Sequence, residues 1–482
     1  MEKINMKMAA ASLLGKDPEA KQESGGLLEN RWHAGQAADV AILCQFFAPE
    51  YVTSARLSWD TAKYLADSGM KVKAICGYPR EYHTAGGVPL QETLDGVHIR
   101  RLRYLQLKRS SRLGRLINYF SFTAAVIRHI GVFRHCETVM VYSNPPVLPV
   151  AAVLAAILFG CRIAFISHDV YPEIAYASGN LSPGGVITRV MQGINRSLFK
   201  RADAVVALTD EMRGFLLWNR PELSEDRVVT IANWAHEAPS EGAGNARREL
   251  GYAEDDFVVS YFGNLGVCQD ATALLQAMEL LKDQPHIHFL ITGHGSKLPD
   301  VRQAAEHLPN VKLCGFLTGE DFDRAVAASS CGIVSLERGL MGMCAPSKYY
   351  SYLQARLPVL AVVEKDSYIA AELREERAGL SSDVGDGRQL AQNILTLHHD
   401  RALLAEMAVG AGRLYEQQYR NEVSLAKYAS LIEGILCVDC GQATKATRTY
   451  CPPGERKSDE NSDDKQRVRH KKHWTDLHRP CS

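Results

Sequence analysis

Residues 39–79 read DVAILCQFFAPEYVTSARLSWDTAKYLADSGMKVKAICGYP, and their pattern decides the fold. DVAILCQFF (39–47) is a nearly continuous apolar run, as expected of a strand buried on both faces. SARLSWDTAKYLADSG (54–69) carries apolar residues at helical spacing and stops at Gly69, a C-terminal cap. KVKAICGYP (71–79) is a second apolar strand, which completes one βαβ unit.

The rhythm continues through GVHIRRLRY, a helical LINYFSFTAAVIRHIGVF, TVMVYSNP, a greasy helix, CRIAFISHD, a helix near 186–200, ADAVVALTD and VVTIANW. HEAPSEGAGNARRELGYAEDD (236–256) breaks it with Gly, Pro, Ser and charge, the signature of a linker. A second alternating series then runs from FVVSYFGN to about residue 436. The fold expected is α/β: two doubly wound Rossmann-like domains, 39–236 and 237–436, facing across a cleft. Residues 1–38 and the polar tail 437–482 read as disordered.

The length of 482 residues exceeds what one core of about 250–300 residues fills, in keeping with two domains. With 55 basic and 55 acidic residues there is no global field of the kind a nucleic-acid binder uses. Most of the twelve cysteines, such as Cys44, Cys76, Cys161, Cys314 and Cys331, sit in apolar strands and read as small hydrophobes in a reducing compartment. No signal peptide is read in the N-terminal segment. The longest greasy run, 147–160, is 14 residues, short of the roughly 18–20 that cross a bilayer. Cys437, Cys440 and Cys451 lack a complete zinc-ligand spacing, so no metal is expected.

In doubly wound sheets ligands bind beyond the carboxyl ends of the strands. In the first domain those ends carry Glu50 in APEYVTS, the segment YSNPP, and His168, Asp169 and Glu173 in SHDVYPEIA. In the second domain Gly263 and Gly266 lie between a strand and a helix, and Gly293, His294 and Gly295 repeat the arrangement. Glycines there let backbone N–H groups approach a phosphate, although each loop alone is also a plain tight turn. The third such loop, APSKYYSYL (345–353), starts a helix with Ser347 and Lys348 in its first turn. A helix start is partially positive, so a lysine there calls for an anion, and a diphosphate is the natural ligand. RRLRYLQLKRSSRLGRLINYF (100–120) interleaves Arg100, Arg101, Arg103, Lys108, Arg109, Arg112 and Arg115 with apolar residues. That pattern suits an anionic membrane surface, and a solvated strand and loop is the plainer alternative.

Taken in order, FFAPEYVTSARLSWDTAKYLADSGMKVKAICGYP, GVHIRRLR, YSNPP, SHDVYPEIAYASG, VVTIANW, YFGNLG, ITGHG and APSKYYSYLQARLPVLAV resemble the family 4 glycosyltransferases of GT-B fold. The branch resembled builds bacterial exopolysaccharide, O-antigen and capsule, as the colanic acid and fucosamine transferases do. The resemblance implies transfer of a sugar, with retention, from a nucleoside diphosphate sugar to an acceptor commonly linked to polyprenyl diphosphate. It places the donor on the second domain, the acceptor on the first, and the protein in the cytoplasm against the inner leaflet. It implies no metal or other cofactor. Gly263 and Asn264 stand where relatives have Gly-Arg, Gln269 about where they have Lys, and Met343 and Ser351 where they have paired glutamates. Lys348 and Glu337 are the stand-ins it offers for the missing basic and acidic groups. His168, Asp169 and Glu50 are candidates for acceptor binding or proton handling, although the leaving phosphate itself can take the acceptor proton. A sugar-nucleotide 2-epimerase and a catalytically degenerate nucleotide-sugar binder share the fold. No G-x-G-x-x-G follows the first strand, which disfavours a dehydrogenase.

Overall fold

A computed structural model describes residues 37–79, 87–107, 111–235 and 245–437. The N-terminal segment, Lys108, Arg109, Cys440 and Cys451 lie outside the described residues, as does most of the polar tail.

The first domain is built on an eight-stranded sheet in the order β3-β4-β2-β1-β5-β6-β7-β8. Its strands are β1 (Ala38–Leu43), β2 (Val72–Gly77), β3 (Gln91–Leu94), β4 (Val97–Leu102), β5 (Cys136–Tyr142), β6 (Arg162–Ser167), β7 (Ala204–Ala207) and β8 (Val228–Thr230). All neighbours run parallel except the β3–β4 hairpin. β1 lies between β2 and β5, its Val40, Ala41, Ile42 and Leu43 all fully buried. The Thr53–Asp67 helix follows as expected and buries Leu57, Trp59 and Leu65.

The second domain has a six-stranded parallel sheet in the order β11-β10-β9-β12-β13-β14. It comprises β9 (Phe257–Asn264), β10 (Ile287–His294), β11 (Val311–Leu313), β12 (Cys331–Ser335), β13 (Val359–Val362) and β14 (Gly379–Ser382). Alternate residues of β9 serve opposite faces: Val258 and Phe262 join one core, Phe257, Val259 and Tyr261 the other. The Ser347–Gln354 helix covers the first of these faces with Tyr349, Tyr350, Tyr352 and Leu353. The Tyr352 hydroxyl accepts the Phe262 N–H at 2.9 Å, which ties the helix to β9. A Cβ at Gly332 would stand 2.5 Å from the Tyr352 ring, so the strand beneath must be bare there. This anchoring leaves the helix start, one turn earlier, at the carboxyl edge of the sheet.

The structure corrects part of the expected linker. Within 236–256, residues Ala246–Glu249 form a helix, and Ala246 and Tyr252 are buried. Arg247 holds the segment to the second domain by donating to the carbonyls of Ala328 and Glu254 and to the Ser330 hydroxyl. Cys44, Cys76, Cys161 and Cys331 are buried free thiols, whereas Cys314 is half-buried. No described helix is long and apolar enough to cross a membrane.

Candidate active site

A cleft of about 1030 Å³ lies where the carboxyl ends of the two sheets meet. Such a volume is at the upper end of ligand pockets. The first domain contributes Asn144, His168 and Asp169, and the second contributes Gly263, Asn264, His294, Ser347 and Lys348.

Lys348 stands in the first turn of the Ser347–Gln354 helix, whose N-cap position is Pro346. Among the described residues no side chain caps this helix, and no acidic residue lies in its first turn. The Lys348 ammonium donates to the Tyr261 hydroxyl and to the Asn264 carbonyl, each at 3.1 Å. It also lies 4.5 Å from the centre of the Tyr261 ring, within reach of a cation–π interaction. Among the described residues no carboxylate pairs with it. Although part of its surface reaches the cleft, the ammonium sits deep among protein atoms, and that desolvation lowers its pKa to about 8. A cation held by neutral groups at a helix start is a setting that favours an anion.

The glycine loops take a different part. A Cβ at Gly293 would stand 2.0 Å from the Gly263 carbonyl oxygen, and one at Gly295 would stand 2.2 Å from that of Leu265. Both have left-handed φ, +133° and +140°. They let the β9 and β10 loops touch, and the Gly293 N–H already donates to the Gly315 carbonyl at 2.6 Å. The Gly266 N–H is likewise occupied by the Gln269 side-chain oxygen at 2.9 Å. Gly263 alone of these four lines the cleft, with φ of +95°. The phosphate-cradle reading of Gly266 and Gly293 therefore gives way to backbone packing.

Glu337 does not reach the cleft. It forms an ion pair with Lys297, whose ammonium also donates to the Gln269 carbonyl at 2.6 Å. The Glu337 N–H donates to the Cys268 carbonyl at 2.9 Å, so the pair clamps the 265–269 loop. Ser351 lies one turn along the helix from Lys348 and is not among the cleft residues; Met343 is buried.

On the opposite wall, Ser143 Oγ accepts the N–H groups of His168 and Asp169 at 3.0 and 3.1 Å, turning the chain into the cleft after β6. Burial lowers His168 to about 4 and raises Asp169 to about 6. His168 is thus neutral near pH 7, packed edge-on to Tyr142 at 5.0 Å. Asp169 is predominantly ionised at that pH. Glu50 is only 8% exposed, accepts the Phe47 N–H at 3.3 Å and does not line the cleft. Glu173 pairs with Arg220 at 2.6 Å, a buried structural contact.

The basic run is divided by the strand. Arg101 is 3% exposed, pairs with Glu92 at 2.6 Å and donates to the Pro89 and Ala48 carbonyls. It shares the inward face of β4 with Val97 and Ile99, which removes it from any membrane-facing surface. Arg100 is partly buried, Arg103 lies over the Tyr78 ring, and Arg115 reaches the cleft. Arg112 begins the Arg112–Arg128 helix.

Lys297, Tyr261 and Ser143 were not singled out by sequence. A lysine just before the helix after β10 was the available signal for Lys297, whereas Tyr261 and Ser143 resemble ordinary strand-end residues.

The glycosyl transferase 4-like domain family matches residues 54–234, and the glycosyl transferases group 1 family matches residues 256–400. The chain therefore belongs to the two-domain glycosyltransferases, with GT-B architecture, and is an enzyme of that class. It is 26% identical over 314 residues to the probable glycosyltransferase WbjE of Pseudomonas aeruginosa, spanning 63% of this chain and 76% of that one. It is 22% identical over 325 residues to the putative colanic acid biosynthesis glycosyl transferase WcaI of Escherichia coli K12, spanning 64% and 79%. Anabaena Alr3699/HepE, solved in complex with UDP-glucose, shares the fold at a TM-score of 0.58 and 17% identity, covering 83% of this chain and 99% of that one.

Proposed function

We propose that this glycosyltransferase moves a sugar, with retention, from a nucleoside diphosphate sugar to a lipid-linked glycan acceptor in cell-surface polysaccharide synthesis. The observation that carries the proposal is Lys348: a cation in the cleft at a helix start, with no carboxylate partner and no side-chain cap among the described residues. Departure of a nucleoside diphosphate concentrates negative charge at that point, and a fixed ammonium stabilises it in the transition state. The UDP-glucose bound by the HepE fold neighbour and the colanic acid role in the name of WcaI support the same direction.

The proposed reaction uses the leaving phosphate as acceptor of the incoming hydroxyl's proton and needs no metal ion or other cofactor. Neutral His168 and ionised Asp169 then orient the acceptor hydroxyl, both contributed to the cleft by the first domain. The first-domain lining of the cleft includes Leu116, Tyr119, Phe120, Leu181, Ile187 and Met191 among polar groups such as Arg115 and Asn180, and these apolar side chains support an acceptor carrying lipid. Leu105, Leu107, Leu113 and Phe120 are exposed, with Arg103 nearby in sequence, which supports docking on the inner leaflet.

The test is transfer from a panel of labelled nucleotide sugars to membranes containing lipid-linked acceptor. Transfer by the parent and not by Lys348→Ala is the expected result. Nucleotide binding without transfer by either protein, or release of an epimerised sugar nucleotide, would contradict the proposal.

A further inference from the structure

Glu211 belongs to the first domain, in the first turn of the Asp210–Asn219 helix, yet its carboxylate serves the second. Oε2 accepts the Gly342 N–H at 3.0 Å, and Oε1 accepts the Tyr368 N–H at 2.9 Å. Tyr368 opens the Tyr368–Glu375 helix, so one of the two donors is also a helix start. Among the described residues no cation pairs with Glu211; its partners are two backbone amides of the second domain. Hydrogen bonds to an ionised acceptor are among the stronger ones, and a buried carboxylate deprived of them is costly.

Gly342 lies in the loop that leads from β12 to Pro346 and the Lys348 helix. Gly342 has φ of +73° and Gly339 of +78°, and the Gly339 N–H is held within the second domain by Glu364 at 3.0 Å. The next residues are held from the first domain: Val170 donates to the Met343 carbonyl at 2.8 Å, and Asp169 bridges to Cys344. Burial raises the pKa of Glu211 to about 7, the response of a carboxylate enclosed between two domains.

We propose that Glu211 is a positioning residue: from the first domain it pins the loop before Ser347 and the start of the Tyr368 helix, fixing Lys348 against the acceptor wall. Its effect on catalysis rests on the donor role of Lys348; its effect on the loop does not.

The experiment combines amide hydrogen exchange, UDP and GDP binding, and turnover for the parent, Glu211→Ala and Glu211→Gln. In Glu211→Ala, exchange in peptides spanning 338–346 and 367–370 is expected to rise about tenfold, with β9 and β10 unchanged. Diphosphate binding is expected within about threefold of the parent while kcat falls about 10- to 100-fold. Glu211→Gln, which keeps one carbonyl acceptor, is expected between the two. Unchanged exchange in those peptides would overturn the proposal, as would a general rise across both domains or a loss of donor binding equal to the loss of kcat. If the local exchange change appears but the parent binds neither UDP nor GDP, the positioning role stands and the donor reading of Lys348 fails.

Discussion

Two lysines that follow β10 and β12, the strands on either side of β9 in the second sheet, carry the same charge in opposite surroundings. Lys297 faces the Glu337 carboxylate and closes the 265–269 loop. Lys348 faces a phenol, a carbonyl and an open cleft. The first charge is neutralised inside the protein and stabilises a loop; the second remains available to a ligand. Proximity to a glycine-rich loop does not separate these roles, but the presence of a carboxylate partner does.

Lys348→Ala is expected to lower turnover about 100- to 1000-fold, because the charge it opposes is greatest in the transition state. A fall of less than about threefold in steady-state transfer would make the two lysines equivalent and break the comparison. Gly295→Ala is expected to act on stability instead, since its Cβ would lie 2.2 Å from the Leu265 carbonyl. A cost of about 2 kcal/mol or more should lower the melting temperature by roughly 5 °C in a thermal scan. Lys297→Met, which leaves Glu337 free to reach solvent, is expected to weaken UDP binding by less than about fivefold through loosening of the 265–269 loop. Isothermal titration of that variant beside Lys348→Ala sharpens the contrast. The smallest effect concerns the facing wall: Asp169, raised to about 6, loses its charge below that pH. The acid limb of the turnover profile is expected near pH 6, and Asp169→Asn, uncharged at every pH, should flatten it by lowering turnover modestly above pH 7 toward the parent's acid level.

The βαβ rhythm made the two sheets legible because buried parallel strands and amphipathic helices have different periods. Lys348 was legible for the same local reason: a helix start and a lysine are adjacent in sequence. Arg101 was also within reach, since two-residue alternation from Val97 and Ile99 turns it inward. Gly293 and Gly295 were not, because a missing Cβ announces a close approach without saying whether a phosphate or another loop approaches. Glu337 and Glu211 were hidden by distance along the chain: their partners Lys297 and Gly342 are 40 and 131 residues away.

If Lys348 binds the donor diphosphate as proposed, its pKa of about 8 gives that binding a pH signature. The ammonium is charged below that value and loses its proton as pH rises through it. Bound diphosphate favours the charged form, so affinity should fall with rising pH, by up to about tenfold per unit above 8. The most direct measurement is the dissociation constant of UDP from pH 6.5 to 9.5 for the parent and Lys348→Ala. Affinity is expected to weaken above pH 8 in the parent and to be weaker and flat with pH in the variant. Parallel profiles of equal affinity would contradict that role of Lys348.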